Sequence, residues 1–205
     1  MLFEGRVFVF KLMAEENFNI IIIGVGGQGL ITLTKILAEA ALSEGLDVKT
    51  SELHGLSQRG GSVETMIRFG PRVYSPLVKQ GGADLVIALE MHEALRACYY
   101  ASPDSKTIFL ANDSIKPIPS EKPLTKNSII KDLGRFSLKT ILVPATEICQ
   151  KEMNKEVLAG IYLIGFAAFK NLIPLKSSSV LRAIKKTIPE KHLELNVKAF
   201  NLAQN

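Results

Sequence analysis

The sequence predicts an α/β fold: a Rossmann-like, mostly parallel sheet with flanking helices and a helical C-terminal part. Three observations predict it. Asn19-Ile-Ile-Ile-Ile-Gly24 is an unbroken β-branched run, suited to a strand covered on both faces. A glycine turn, Gly24-Val-Gly-Gly-Gln-Gly29, follows at once, and apolar residues then recur at helical spacing at Leu30, Leu33, Leu37, Ala40 and Ala41. A second buried-type run, Asp84-Leu-Val-Ile-Ala-Leu-Glu90, lies downstream behind Gly81-Gly82.

Taken in order, the first strand covers residues 19–24 and the first helix 30–44, ended by Gly45 in the manner of a residue just past a helix C-terminus. Residues 47–51 form a second strand and complete a βαβ unit. Ser62-Val-Glu-Thr-Met-Ile-Arg-Phe69 alternates as a third strand does. Gly70-Pro71 turns the chain, and Val73 to Val78 is a short extended piece interrupted by Pro76. Residues 84–90 are a strand, 90–100 a helix, 107–110 a strand. Pro117, Pro119 and Pro123 mark an irregular excursion within one domain. Residues 137–143 form a strand stopped by Pro144, and everything after Ala145 is helical. The stretch from Val157 to Phe169 is apolar all round, so it is buried either inside the domain or against another subunit. It is too short to span a bilayer. Val180, Ile184, Ile188, Leu193, Leu195, Val197 and Phe200 are the expected core residues of the last two helices.

The chain has 205 residues, enough for one substantial core. We read residues 1–16 as an N-terminal extension and 17–205 as a single domain. Met13 resembles a natural start, so residues 1–12 are either an over-extended start or a loosely held arm. Phe8-Val-Phe-Lys-Leu-Met13 is too short for a signal peptide and has no small-residue cleavage site. The net charge of +5 comes with no aromatic-interleaved basic stripe, which argues against nucleic acid as a partner. The two cysteines, Cys98 and Cys149, stand far apart. They cannot hold an iron–sulfur cluster or a zinc ion, and they suit a reduced, cytoplasmic setting. The three histidines show no metal-ligand spacing.

The chemistry concentrates in two places. Gly24, Gly26 and Gly29 have the GxGxxG spacing, after a strand and at a helix start. The first glycine permits the turn, the second lets the backbone approach an anion, and the third permits close helix–strand packing. Glu52 lies where a ribose-binding acid would sit at the end of a second strand. The turn therefore reads either as a nicotinamide or flavin site or as glycine serving the turn and its packing alone. The second place is Ser51-Glu-Leu-His-Gly-Leu-Ser-Gln-Arg-Gly-Gly-Ser-Val63. Arg59 offers a planar fork of donors to a phosphate or carboxylate, and Gly60 and Gly61 let the backbone come close to a partner. His54 is a candidate general base with no orienting carboxylate near in sequence except Glu52. Walker, serine-elbow and zinc-protease motifs are missing. A paired-carboxylate reading of Glu90 and Glu93 has no other support, and His92 reads as a helix N-terminal residue.

These residues carry a resemblance. Ile23-Gly-Val-Gly-Gly-Gln-Gly29, the run from Ser51 to Val63, Val73-Tyr-Ser-Pro-Leu77 and Glu90-Met-His-Glu-Ala-Leu-Arg96 resemble the gamma-type subunits of 2-oxoacid:ferredoxin oxidoreductases. The His-Gly-x-Ser-Gln-Arg-Gly-Gly-Ser-Val form is most similar to the small (beta) subunit of the indolepyruvate branch. The resemblance covers roughly residues 19–200. It implies a Rossmann-like subunit rather than a free-standing enzyme. The family oxidatively decarboxylates a 2-oxoacid with coenzyme A, giving acyl-CoA, carbon dioxide and reduced ferredoxin. Thiamine diphosphate and the iron–sulfur clusters are implied on a larger alpha subunit, with no cofactor held tightly by this chain. Ferredoxin would meet the chain only through the complex. Gly26, Gly27, Gln28, Gly29, His54, Gln58, Arg59, Gly60, Gly61 and Ser62 match the signature, and would line the face toward the alpha subunit and its coenzyme A or thiamine site. The rival readings are an independent nicotinamide- or flavin-dependent oxidoreductase and a purely structural partner of the alpha subunit.

Overall fold

Strand β1 (Phe18–Val25) lies in the interior of a six-stranded sheet of order β2-β3-β1-β4-β5-β6. The computed structural model of the chain describes residues 16–54, 61–102, 104, 107–115 and 124–204. Ile20, Ile21, Ile22 and Ile23 are all fully buried, because helices cover both faces. Burying each such side chain contributes about 1.5–3 kcal/mol. Their alternation sorts them. Ile20 and Ile22 join a core with helix α1 (Leu30–Ser43) and the C-terminal helices, while Ile21 and Ile23 join a smaller one on the opposite face. Leu85 and Ile87 of β4 (Leu85–Ala88) divide from Val86 and Ala88 in the same way.

The βαβ unit expected from residues 19–51 forms, with its two strands parallel in one sheet but not adjacent. β2 (Asp47–His54) pairs antiparallel with β3 (Ser62–Gly70), and β3 pairs antiparallel with β1, so β3 stands between β1 and β2. Composition gives the reason. β3 carries the buried Met66, Ile67 and Phe69, whereas β2 carries Asp47, Lys49 and Glu52. The apolar strand takes the interior, and the charged one takes the edge, where charge discourages further pairing. β4, β5 (Ile108–Asn112) and β6 (Lys139–Val143) then run parallel to β1.

The expected helix over 90–100 is helix α2 (Met91–Arg96) followed by a 3-10 turn at Ala97–Tyr99. Val73 to Val78 forms no strand. Arg68 instead donates to the carbonyls of Ser75 and Leu77, at 2.9 and 3.2 Å, so a side chain satisfies acceptors that a ladder would otherwise hold. Helix α3 (Lys126–Leu133) was not expected. Its signals are the cap Thr125, which accepts the Ser128 amide at 3.2 Å, and the buried pair Ile129 and Leu133 one turn apart. Pro117, Pro119 and Pro123 lie outside the described residues, as do residues 1–15.

The C-terminal part is helical throughout: α4 (Ala145–Met153), a 3-10 turn at Glu156–Leu158, α5 (Ala159–Phe169), α6 (Ser177–Thr187) and α7 (Glu190–Leu202). The apolar α5 is buried inside this domain, which resolves the choice left by the sequence. Two glycines allow it. A Cβ on Gly160 would lie 2.7 Å from Leu33 Cδ1, and one on Gly165 would lie 2.7 Å from the Phe200 carbonyl. Val180, Ile184 and Phe200 are core residues as expected, but Leu195 is 36% exposed. Among the described residues no helix is long and apolar enough to cross a membrane.

Candidate functional site

The parallel strands β1, β4 and β5 all end on the same side, and there the glycine turn leads into α1. Gly24 leaves little room for a side chain. A Cβ there would sit 2.5 Å from Gln28 Oε1 and 3.0 Å from Leu89 Cβ. Gly27 and Gly29 have φ of 99° and 81°, a region that side chains rarely adopt. Gly29 serves conformation only. Nothing lies within 4 Å of a Cβ built on it, so the close helix–strand packing expected at the third glycine is absent. Gly29 caps α1 with no side-chain hydrogen bond, so no capping side chain takes up the first-turn amides, a setting that favours an anion.

Gln28 turns inward. Its Oε1 accepts the Val25 amide at 2.7 Å, and its Nε2 donates to the Leu89 carbonyl at 3.3 Å. It therefore braces β1 against the end of β4. The turn is also bonded to the far end of the Arg-Gly-Gly run. The Gly26 amide donates to the Gly61 carbonyl at 2.9 Å, and Val25 pairs with Ser62 in the β1–β3 ladder. Ser62 donates its hydroxyl to the Glu93 carboxylate. The Glu93 amide in turn donates to Glu90 Oε2 at 3.0 Å, and Glu90 Oε1 lies 3.1 Å from His92 Nδ1. Glu90 is thus a buried helix cap and Glu93 a holder of β3, which gives these two acids separate tasks.

The structure brings Gly24, Gly26, Gly27, Gln28, Gly29, Gly61 and Ser62 together. It does not bring Glu52 to them. Glu52 lies on the edge strand opposite Thr65, separated from β1 by the whole of β3, so it is not at the place of a ribose-binding acid. His54 ends β2 with its backbone opposite Val63. Its side chain lies outside the described residues, as do Gln58, Arg59 and Gly60.

A cleft of about 280 Å³ opens beside the turn, lined by Gly26, Gly27, Asn112, Ser114, Thr146 and Gly160 among others. Asn112 was missed by the sequence reasoning. It is buried at the end of β5, donating to the Leu89 carbonyl at 3.1 Å and to Thr146 Oγ1 at 2.7 Å, and accepting the Thr146 amide at 3.1 Å. The available signal was a polar residue closing an apolar strand, at the strand ends where open α/β sheets bind ligands. A larger recess of about 540 Å³ shares Gln28 and Val157 with the cleft. Its walls are mainly apolar, with Leu33, Ile161 and Ile188, and Lys35, Lys155 and His192 also line it.

Neither thiol is set up as a nucleophile. Burial pushes Cys149 up to about 11, and burial followed by the charge of Asp132 does the same to Cys98. Burial also raises Glu64, against the hydrogen bond from Tyr100 and the charge of Arg96. Among the described residues no group of three or more His, Cys, Asp or Glu could hold a metal ion.

Comparison with known proteins follows the same line. The family model described as pyruvate ferredoxin/flavodoxin oxidoreductase matches residues 19–205. The chain is 36% identical over 192 residues to the indolepyruvate oxidoreductase subunit IorB of Archaeoglobus fulgidus, covering 92% of this chain and 94% of that protein. It is 31% identical over 194 residues to the pyruvate/ketoisovalerate oxidoreductases common subunit gamma of Pyrococcus abyssi, covering 91% and 93%. In fold it matches the 2-oxoglutarate:ferredoxin oxidoreductase of Magnetococcus marinus, solved with 2-oxoglutarate, coenzyme A and succinyl-CoA bound. The TM-score is 0.70 at 19% identity, over 93% of this chain and 31% of that longer one.

Proposed function

Because the chain belongs to the pyruvate ferredoxin/flavodoxin oxidoreductase family, we propose that it is the small subunit of an indolepyruvate-type 2-oxoacid:ferredoxin oxidoreductase. The observation that carries this reading is the near end-to-end match to IorB, a protein of the same extent. The complex would convert a 2-oxoacid, coenzyme A and two oxidised ferredoxins to acyl-CoA, carbon dioxide, two reduced ferredoxins and a proton. Thiamine diphosphate and iron–sulfur clusters, on a larger alpha subunit, supply decarboxylation and electron transfer when bound. The thiols of this chain do not suit a cluster: they stand apart, Cys149 is buried and Cys98 half-buried, and burial keeps both protonated. Residues 17–205 would act as one domain, behind an N-terminal extension, in the cytoplasm.

The part of this chain is binding and orientation. The α1 N-terminus, which has no capping side chain, suits a diphosphate, at about 0.3–1 kcal/mol for an exposed helix end. The adjoining recess has apolar walls with lysines, which suits a ligand that is both anionic and partly apolar. Coenzyme A has that character, and the Magnetococcus marinus enzyme of the same fold binds it. Arg59 would add a bidentate contact to a phosphate or to an acidic patch on the alpha subunit. His54, Gln58 and Gly60 would line the same face.

The test is co-expression with a larger, thiamine- and cluster-binding alpha subunit. We expect a hetero-oligomer that reduces ferredoxin with an aryl 2-oxoacid only when coenzyme A is supplied, and an isolated chain that is colourless and inactive. Failure to co-purify, or nicotinamide-dependent turnover by the isolated chain, overturns the reading.

A further inference from the structure

We infer that Glu93 is a positioning residue for the cleft. By accepting the Ser62 hydroxyl it fixes the start of β3, and with it the Gly61 carbonyl that takes up the Gly26 amide. The route runs from α2, on one face of the sheet, to the glycine turn at the strand ends. Each link is local. Glu90 caps α2 and holds the Glu93 backbone, so the Glu93 side chain leaves a fixed point. That side chain is only 16% exposed. Arg96 Nε, 3.7 Å away on a side chain 66% exposed, adds little.

The bond also decides what Ser62 can do. A hydroxyl has one proton, and this one is committed to a carboxylate. Toward a ligand Ser62 can then only accept. It cannot donate to a phosphate while the bond stands. Ser62 therefore shapes the mouth of the cleft rather than supplying a donor to an anion. The alternative is that Glu93 simply ties α2 to the sheet.

The experiment uses the complex with the larger subunit and the variants Glu93→Ala, Ser62→Ala, the double variant and Glu93→Gln. Two readouts are taken from each: steady-state kinetics with coenzyme A, and amide hydrogen exchange over residues 25–29. The kinetic readout rests on the coenzyme A reading above, and the exchange readout does not. A hydrogen bond to a charged group corresponds to about a tenfold effect or more. We expect Glu93→Ala and Ser62→Ala each to raise the KM for coenzyme A about tenfold, with kcat nearly unchanged. The double variant should be no worse than either single one, because both break one link. Glu93→Gln keeps an acceptor at the same reach and should recover most of the loss. Exchange over 25–29 should quicken in Glu93→Ala while α7 stays protected. Unchanged exchange in Glu93→Ala overturns the inference whatever coenzyme A does. Faster exchange with an unchanged KM reduces Glu93 to a structural tie, and an additive double variant shows that it does not act through Ser62. If the wild-type complex ignores coenzyme A, the proposed function fails, and the exchange result alone decides the positioning role.

Discussion

The amide of Gly26 donates to the carbonyl of Gly61 over 2.9 Å, joining two segments that the sequence holds thirty-five residues apart. The glycine turn and the end of the Arg-Gly-Gly run are therefore one hydrogen-bonded unit. The insertion of β3 beside β1 makes this possible, since Val25 and Ser62 are then ladder partners. A glycine turn in a plain βαβ unit would have no such neighbour.

The first prediction sets Gly24 against Gly29. Gly24→Ala drives a methyl into Gln28 Oε1 and Leu89 Cβ and should cost about 2 kcal/mol. Gly29→Ala meets open space but keeps φ of 81°, which costs about 1 kcal/mol of backbone strain. Urea denaturation of the two variants should rank them in that order. The reverse ranking would mean that the Gln28 brace yields freely.

Gln28 carries the second prediction. Gln28→Ala leaves the Val25 amide without its side-chain partner, while the Leu89 carbonyl keeps the bond from Asn112, at a cost of about 1–2 kcal/mol. Combined with Gly24→Ala the loss should be smaller than the sum, since both disturb the same brace. If stability holds while the KM for coenzyme A rises, Gln28 works on the ligand and its inward bonds are incidental.

Much of this was legible in the sequence because it is local. The four isoleucines of β1 announce a strand covered on both faces, and the glycine spacing announces the turn. The family motif was legible too, since both of its runs, 24–29 and 51–63, are short and lie near each other in the chain. Sheet order was not. It depends on competition between β2 and β3 for the place beside β1, and the sequence suggested the nearer strand where the more apolar one won. The inward turn of Gln28 and Ser62 was hidden for a related reason. Their partners, the Leu89 carbonyl and Glu93, lie sixty-one and thirty-one residues away. Asn112 was passed over because a lone Asn after an apolar run looks like any strand end.

Asp84 gives a prediction in pH. Burial, and then the charge of Glu16, push it from 3.8 up to about 6, against the Asn19 amide at 2.7 Å and the charge of Arg68. Between about pH 4 and 6 the folded chain holds a proton that the unfolded chain has released. Stability from this group therefore falls as pH rises through that window and is level above it. Asp84→Asn keeps an acceptor for the Asn19 amide and removes the charge. After allowance for partial exposure it should gain about 1 kcal/mol at pH 7, and the gain should shrink as pH falls from about 6 to about 4. Denaturation midpoints across pH 3.5–8 measure this, and a gain independent of pH would assign it to something other than the Asp84 charge.

The last prediction concerns Tyr100, whose hydroxyl donates to Glu64 Oε1 at 2.7 Å across the gap between the 3-10 turn and β3. Burial raises Glu64 above 4.5, and the Tyr100 bond is the largest influence holding it down. Tyr100→Phe removes that influence, so the folded pKa of Glu64 climbs further while the unfolded value stays. The sign follows from linkage. A higher folded pKa means a larger cost of ionising the folded chain, present at neutral pH and absent once the acid is protonated in both states. The variant should therefore lose about 1 kcal/mol at pH 7, a modest figure because Glu64 is only half-buried, and the loss should narrow as pH falls through the folded pKa, above 4.5, and be largely gone by about pH 4. The control is the ring, since Tyr100 also meets Tyr99 edge-on with centroids 5.0 Å apart and phenylalanine keeps that contact. A deficit of equal size at pH 4 and pH 7 would place the contribution of Tyr100 in packing and not in its bond to Glu64.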